Sequence, residues 1–388
     1  MIEDPVLLLG PGPSSVSPRV LQAMTRPPLG YLDPAFLAEL REESDGLRAA
    51  FGTASPCTFA LSGTGMSGME CALANLLEPG ERLLVCVNGF FGERMAEVAS
   101  RHAIEVHRVE ADWGRAIDVA QLATRAREVR PQVVAFVHAE TSTGCLQPLE
   151  PLAREARAAG ALVVADCVTS IGGVVLDVDR AGIDVAYAGS QKCLGAPSGL
   201  APVAASPRAL DRIRRRATPP STWYHDLVLL ERYFGASPPS YHHTPSYALH
   251  SALREALRAL REEGIEESAR RHRRNHLALV AGVEALGLQM LVAPELRAPM
   301  LNAVVVPDGI DEAKLRSRLR EKDRIEIGAG LGKLRGRIIR IGLMGHSSRA
   351  ESVTCVLAAI AAALTDQGRA ASADRAVEAA REALRAAA

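Results

Sequence analysis

The sequence predicts an α/β protein with a mainly parallel sheet in a large domain and a smaller α+β domain after it. Short apolar strands, such as residues 83–87, 133–137 and 161–165, alternate with segments of helical periodicity. This alternation is typical of a parallel sheet with helices on both faces. Glycine and polar residues follow each strand, and from about Gly264 the pattern changes to mixed helices and strands.

The domain organisation follows from length and from these changes of pattern. A chain of 388 residues is too long for one compact core of ordinary size, so about two domains are expected. We predict an extended, proline-rich N-terminal arm (residues 1–20), a large domain (21–264) and a small C-terminal domain (265–388).

Composition and charge restrict the class of protein. The chain is 48% hydrophobic and 23% charged with zero formal net charge, which is typical of a globular protein and argues against nucleic-acid binding. No apolar run reaches membrane-spanning length, and the N-terminus does not resemble a signal peptide. Seven cysteines without a C-x-x-C pair are expected to be reduced core residues. We therefore expect a cytoplasmic protein that has no metal site and binds no membrane.

The first predicted strand leads to a glycine-rich turn. Helical periodicity in residues 18–24 and 34–51 precedes a strand at 57–61, and the turn at 62–66 then opens a helix. Backbone N–H groups at such a helix start form an anion site, to which Thr64 adds a hydroxyl donor. No carboxylate lies in the turn, so a phosphate would not be repelled there.

Polar or aromatic residues also end the next strands. The strand at 83–87 leads to Phe90 and Phe91 between glycines, and we expect Phe91 to expose its ring for stacking and Phe90 to lie in the core. After the strand at 133–137, His138 and Glu140 could act as general acid–base groups, although no third member is apparent.

Asp166 and Lys192 stand out because each follows a buried type of strand. An unpaired carboxylate at Asp166 would be costly, so a cationic or N–H partner is expected. Lys192 is one of only four lysines among 45 basic residues. A lysine amine can lose its proton and attack a carbonyl, which arginine cannot do at ordinary pH. Because open α/β sheets bind ligands at the carboxyl ends of their strands, Lys192 is a candidate Schiff-base nucleophile.

The rest of the chain changes character. A polar, aromatic segment at 221–247 contains Tyr241-His-His-Thr-Pro245; adjacent histidine side chains are expected to diverge, so no metal pair is expected there. A long helix at 249–263 follows. The α+β pattern predicts a helix to residue 286, a strand at 300–306, a helix at 311–320, strands at 325–327 and 338–343, and an amphipathic helix at 374–387. Residues 328–336 are expected to form a flexible loop before Arg340.

Several motifs in this order resemble those of the class V pyridoxal-phosphate aminotransferases, especially the alanine–glyoxylate and serine–pyruvate (serine–glyoxylate) branch. The similarity extends from about residue 7 to residue 363. It rests on the GPGP start, the Gly-Thr-Gly-Met turn, Phe91, Glu140-Thr-Ser-Thr-Gly144, Asp166, Ser190-Gln-Lys192, Tyr241-His-His-Thr244 and Arg340-Ile-Gly342. The resemblance implies fold type I of the pyridoxal-phosphate-dependent transferases, with a seven-stranded type of sheet and pyridoxal 5′-phosphate as cofactor.

The resemblance also implies roles for the residues that contact the cofactor ring. Lys192 would form a Schiff base with the cofactor and then act as general acid–base. Asp166 would pair with the pyridinium nitrogen, which strengthens the ring as an electron sink. Phe91 would stack on the ring, where many relatives have a tryptophan, and Thr141 would lie near its phenolate oxygen.

The remaining implied roles concern phosphate and substrate. Tyr241 and Thr244 would reach the phosphate of a neighbouring subunit, which implies an obligate homodimer. Arg340 would hold the substrate carboxylate in a bidentate fork. Within the same subunit, the phosphate would be bound by Thr64, Gly65, Met66 and Gln191.

The function implied by the resemblance is transfer of an amino group from alanine or serine to glyoxylate or pyruvate by a ping-pong mechanism. A single arginine clamp also favours small donors, because a second carboxylate would enter without a partner. Other functions are compatible with the same fold. A class V lyase such as a cysteine desulfurase needs a nucleophilic cysteine, which residues 328–336 lack. A 2-aminoethylphosphonate type of transaminase stays open, and the intact Lys192 and Asp166 argue against a non-enzymatic relative.

Overall fold

The computed structural model of the chain describes residues 6–235 and 238–387, within which thirteen helices and fifteen strands form. Residues 1–5 of the predicted arm lie outside the described residues. The helices are α1 (Pro18–Ala23), α2 (Pro34–Phe51), α3 (Gly65–Leu76), α4 (Phe90–Arg101), α5 (Val119–Val129), α6 (Leu149–Ala158), α7 (Pro207–Arg214), α8 (Leu227–Phe234), α9 (Tyr247–Glu263), α10 (Ile265–Ala285), α11 (Glu312–Lys322), α12 (Ala350–Asp366) and α13 (Ala373–Ala386).

The strands are mostly short, and those that the sequence predicts end within about one residue of the predicted positions. They are β1 (Leu7–Leu8), β2 (Thr58–Ser62), β3 (Arg82–Val87), β4 (Glu105–Glu110), β5 (Val133–Val137), β6 (Ala139–Glu140), β7 (Cys145–Leu146), β8 (Leu162–Asp166), β9 (Val185–Tyr187), β10 (Leu200–Ala205), β11 (Gln289–Met290), β12 (Leu301–Val305), β13 (Ile325–Glu326), β14 (Gly328–Ala329) and β15 (Ile338–Gly342).

A seven-stranded sheet in the order β2-β10-β9-β8-β5-β3-β4 forms the centre of the fold. Strands β9, β8, β5, β3 and β4 are mutually parallel, and only β10 is antiparallel to its neighbours. Successive side chains pack on opposite faces: Leu84 belongs to one buried cluster, whereas Leu83 and Val85 belong to the other. This confirms the predicted α/β fold with a mainly parallel sheet, and it explains why these strands are apolar on both faces.

A second, antiparallel sheet in the order β11-β12-β15-β14 carries Arg340. Ile339 and Ile341 of β15 pack into a cluster with α10, α11, α12 and α13. Because side chains alternate along a strand, Arg340 lies on the opposite face of this sheet. The division of the chain at residue 264 into two domains stays a prediction.

The described part of the N-terminal arm is held at two places. Strand β1 pairs in parallel with β13, and the N–H group of Gly342 donates to the carbonyl of Leu9 at 2.8 Å. Further along, the N–H group of Ser14 donates to the carbonyl of Gln191 at 2.9 Å. The arm therefore connects the strand of Arg340 with the loop of Lys192, and α1 begins before the predicted end of the arm.

The predicted flexible loop at residues 328–336 is instead partly regular. Strand β14 pairs with β15 through the register Gly328↔Arg340, and a 3₁₀ turn at Gly332–Leu334 follows it. The amine of Lys333 lies 4.8 Å from the centre of the Trp113 ring, so the turn packs on the large sheet's connections. Within the described parts of the chain, no helix has the length and apolarity needed to cross a bilayer.

Candidate active site

A cavity of about 180 Å³ opens at the carboxyl ends of the parallel strands and brings together eight of the eleven predicted site residues. The eight come from the starts of α3 and α4, the turn after β6, the end of β8 and the loop after β9. They are Thr64, Gly65, Met66, Phe91, Thr141, Asp166, Gln191 and Lys192. Parallel strands place these distant segments together because all their carboxyl ends meet at one edge of the sheet.

Asp166 is buried at the floor of the cavity without a cationic hydrogen-bond partner among the described residues. Its Oδ1 accepts from the N–H of Val168, and its Oδ2 accepts from the hydroxyl of Tyr187, both at 2.9 Å. Burial raises the pKa of Asp166 to about 7, although both hydrogen bonds act in the opposite direction. The partners are thus neutral, and a protonated ring nitrogen placed in the cavity would supply the missing positive charge.

Lys192 borders the same cavity, and its amine donates to the carbonyl of Pro11. Burial lowers the pKa of Lys192 to about 8; Arg340 also lowers it, whereas Cys193 and Asp166 raise it. A larger fraction of this amine is therefore unprotonated at neutral pH than for an ordinary lysine. This is the property that a nucleophilic lysine requires.

The start of α3, where the sequence predicts an anion site, lines the cavity. The helix begins at Gly65, and the side chain of its N-cap Thr64 makes no capping hydrogen bond. The amides of Gly65 and Met66 point out of the helix, as at any N-terminus, where the helix dipole is positive. A Cβ atom at Gly65 would lie 2.6 Å from Val168, so only glycine allows the helix to begin so close to the cavity. The Oε1 atom of Gln191 is buried and has no hydrogen-bond partner among the described residues.

Phe91 is held in place by Glu140, which reaches across from the end of β6. Glu140 Oε2 accepts from the N–H groups of Phe91 and Gly92 at 3.1 and 3.3 Å, and Oε1 accepts from the N–H and hydroxyl of Ser142. The carboxylate thus caps α4. Its four hydrogen bonds favour a structural role over the acid–base role left open by the sequence. His138 does not line the cavity, and burial lowers its pKa to about 4.

Arg340 lies beside the cavity but does not line it. Its Nε donates to the carbonyl of Ala329 at 2.6 Å, and its Nη1 donates to the carbonyl of Thr141 at 3.0 Å. Thr141 is itself a cavity residue, and its hydroxyl lies 2.6 Å from that of Thr169. Burial lowers the pKa of Arg340 to about 10, so the group keeps its charge at neutral pH. The two carbonyls fix the orientation of the guanidinium plane.

Tyr241 and Thr244 lie away from the cavity of their own chain. The side chain of Tyr241 is 58% exposed and packs against Tyr31, with ring centres 4.8 Å apart. The neighbouring histidines do not diverge, and that expectation was wrong: the Nδ1 atoms of His242 and His243 lie 2.9 Å apart. His242 stacks on the indole ring of Trp223, and His243 forms a hydrogen bond with the hydroxyl of Ser62. These contacts hold the two imidazole rings close to each other. No group of three or more metal-binding side chains occurs in the described residues.

Sequence reasoning missed several residues of the site. Tyr187 donates to Asp166 and Val168 lines the cavity, yet each resembles an ordinary core residue in the sequence. Pro11 and Gly12 contact Lys192 from a distant part of the chain. The glycines and prolines of the GPGP motif indicate an unusual backbone conformation. No feature of the neighbouring sequence indicates that this motif contacts Lys192.

Fold and site together define an α/β protein in which a lysine of lowered pKa and a buried carboxylate line one cavity. Comparison with known proteins gives the family. The chain belongs to the class V aminotransferases, because the model of that family, described as Aminotransferase class-V, matches residues 36–350. The predicted family and the predicted aminotransferase type of enzyme are confirmed. Members of this family are pyridoxal-phosphate-dependent enzymes.

Three relatives show how far the similarity extends. A solved alanine–glyoxylate aminotransferase from Nostoc sp. is 43% identical, with a TM-score of 0.92 over 94% of this chain and 96% of that one. A solved ureidoglycine–glyoxylate aminotransferase from Bacillus subtilis is 37% identical, with a TM-score of 0.96 over 99% of both chains. An alanine–glyoxylate aminotransferase of Drosophila melanogaster is 40% identical over 354 residues, which are 90% of each chain.

The burial of Asp166 predicts an effect on stability that can be measured without cofactor. The pKa of Asp166 lies near 7 in the folded chain and near 3.8 when exposed. Between these values only the unfolded chain ionises, so the contribution of Asp166 to stability decreases as pH rises. Asp166→Asn should therefore raise the free energy of unfolding at pH 7 by on the order of 2–4 kcal/mol and have little effect near pH 4.

Urea denaturation of the cofactor-free protein at both pH values measures this difference. A substitution that destabilises the protein equally at both pH values would show that the carboxylate of Asp166 is stabilising in the folded chain.

Proposed function

We propose that this protein binds pyridoxal 5′-phosphate in the cavity and transfers an amino group from alanine or serine to glyoxylate or pyruvate. The observation that carries the proposal is the pairing of Lys192 and Asp166 on one cavity, each with a pKa displaced towards neutrality. Perturbed groups of this kind are concentrated at catalytic sites. When bound, the cofactor supplies an electron sink for the α-carbon of an amino acid.

The cavity residues fit the different parts of the cofactor. Asp166 would keep the ring nitrogen protonated, because a cation there compensates a buried carboxylate. Phe91 would contact the ring face, and Thr141 would lie near the phenolate oxygen. The phosphate would be bound at the positive end of α3, by the residues Thr64, Gly65, Met66 and Gln191.

Lys192 and Arg340 would act on the substrate. A lysine with a pKa of about 8 can both accept a proton from the α-carbon and return one, since its pKa is near the working pH. The guanidinium of Arg340, oriented by the carbonyls of Ala329 and Thr141, would bind the α-carboxylate in a fork. Together they would place the α-hydrogen within reach of the amine.

The charges around the cavity support a small donor. Lys192 is the only basic residue among the described residues that line the cavity, and Arg340 provides one fork beside it. A donor with a distal carboxylate would have to bury that group without a partner. Two relatives named above act, by name, on alanine and glyoxylate. The Bacillus subtilis relative matches 99% of both chains, so (S)-ureidoglycine is the second candidate donor.

A donor–acceptor matrix at fixed enzyme concentration tests the function. We expect alanine or serine with glyoxylate or pyruvate to have the highest kcat/KM. Glutamate and 2-aminoethylphosphonate should be at least about tenfold poorer donors, which corresponds to about 1.4 kcal/mol in the transition state. A tenfold preference for either of them would contradict the proposed substrate class, whereas a preference for (S)-ureidoglycine would select the second candidate. Elimination without amino transfer would indicate a lyase.

We also propose that the protein is a homodimer in which Tyr241 and Thr244 complete the partner's phosphate site. Both side chains are exposed, and they are remote from the cavity of their own chain. Tyr241 is one of several large exposed side chains, with Tyr31, Trp223 and Tyr224. Exposed aromatic side chains of this kind are typical of a surface that another protein covers.

Thr244→Val should weaken cofactor binding roughly 10- to 100-fold and leave the dimer intact, because it removes one hydrogen bond to a charged group. Sedimentation measures the oligomeric state, and absorbance titration with pyridoxal phosphate measures the affinity for the cofactor. Thr124→Val is the control, because Thr124 is also an exposed threonine and lies on α5; this variant should bind cofactor normally. A fully active, cofactor-loaded monomer would contradict the shared site.

The cysteines support a reducing compartment, and we propose that it is the cytoplasm. All seven are free; six are buried, and Cys355 is exposed. Burial raises the pKa of Cys167 and Cys193 to about 12, so these thiols are unreactive core groups.

A further inference from the structure

The N-terminal arm contacts the side chain of Lys192 directly. The amine of Lys192 donates to the carbonyl of Pro11, and the next residue, Gly12, has a φ of +105°. A Cβ atom at Gly12 would lie 2.6 Å from Cδ and 2.8 Å from Cε of Lys192 and would also overlap the amine. Real Cβ atoms essentially never approach so closely, so the lysine occupies the space that a side chain at position 12 would need.

Neither the arm nor the lysine loop can easily move away from this contact. Ser14 bonds to the loop through its N–H group, which donates to the carbonyl of Gln191, and through its hydroxyl, which donates to the carbonyl of Lys192, both at 2.9 Å. On the other side, the N–H of Leu9 donates to the carbonyl of Glu326 at 2.8 Å. A side chain at position 12 would therefore displace Lys192 rather than the backbone.

The position of the amine matters because charged groups surround it. Arg340 disfavours the protonated amine, whereas Asp166 and Cys193 favour it. Asp166 lies across the cavity that Lys192 borders. Opposite charges attract strongly where water is excluded, so an amine without another acceptor would be drawn towards Asp166. It would then occupy cavity space that a bound ring would need.

We propose that Pro11 and Gly12 are positioning residues for Lys192. The carbonyl of Pro11 holds the amine away from Asp166 whenever the amine is not bonded to the cofactor, and Gly12 leaves the space in which the lysine side chain lies. The importance of this position rests on the proposed function, but the contact itself can be tested without cofactor.

A double-mutant cycle on the cofactor-free protein tests the contact. Gly12→Ala introduces backbone strain at positive φ in any chain, but it overlaps a side chain only when Lys192 is present. We expect Gly12→Ala to lower the Tm by roughly 1 °C or more beyond its effect in a Lys192→Ala chain. Gly80→Ala is the matched control, because Gly80 has a φ of +83° and nothing within 4 Å; its effect should be equal in both chains.

An equal loss for Gly12→Ala in both chains, including failure to fold in both, would overturn the proposal. Folding of the double variant where Gly12→Ala alone fails would support it. The cycle measures stability and not activity, so its outcome does not depend on whether the protein is an aminotransferase. It therefore tests the positioning role separately from the proposed function. Full aminotransferase activity of Lys192→Ala would refute the proposed role of the lysine and leave the coupling unchanged.

Capture of pyridoxal phosphate provides a second readout. After the cofactor-free protein is mixed with pyridoxal phosphate, the visible absorbance should develop about tenfold or more slowly in Gly12→Ala, since its amine is misplaced. Gly80→Ala should behave as the parent. Capture at the parental rate in Gly12→Ala would show that position 12 does not place the amine.

Discussion

The burial of one carboxylate, Asp166, is the constraint on which the site depends. A carboxylate at the end of a fully buried strand loses hydration that two neutral hydrogen bonds replace only in part, and its pKa rises to about 7. A protonated ring nitrogen in the cavity would remove this cost. The cofactor-free chain is therefore less stable than one without this buried carboxylate. A bound cationic heterocycle would recover that lost stability.

The other groups of the site are placed around this carboxylate by the parallel sheet. Strand β8 ends at Asp166, the loop after β9 carries Lys192, and α3 directs its positive end at the same cavity. Arg340 comes from the second sheet, on the face opposite its packed helices. The arm spans the distance between them, since Leu9 bonds to the strand of Arg340 and Ser14 bonds to the loop of Lys192.

Features that depend on local sequence could be predicted, and those that depend on contacts between distant segments could not. Asp166 and Lys192 follow apolar strands, so their position at the sheet edge is a local property. Glu140 caps a helix 49 residues earlier, and Pro11 lies 181 residues from Lys192; neither pairing leaves a pattern in the sequence. The domain boundary and the cofactor roles of the site residues stay predictions.

The most direct measurement is to locate the bond between the protein and its cofactor. Reduction with borohydride after loading with pyridoxal phosphate makes that bond permanent, and mass spectrometry of the digested chain then finds the modified amine. With only four lysines in the chain, the assignment is unambiguous. The structure predicts modification of Lys192 and its loss in Lys192→Ala. Modification of Lys314, Lys322 or Lys333 without Lys192 would contradict the assignment of this cavity as the active site.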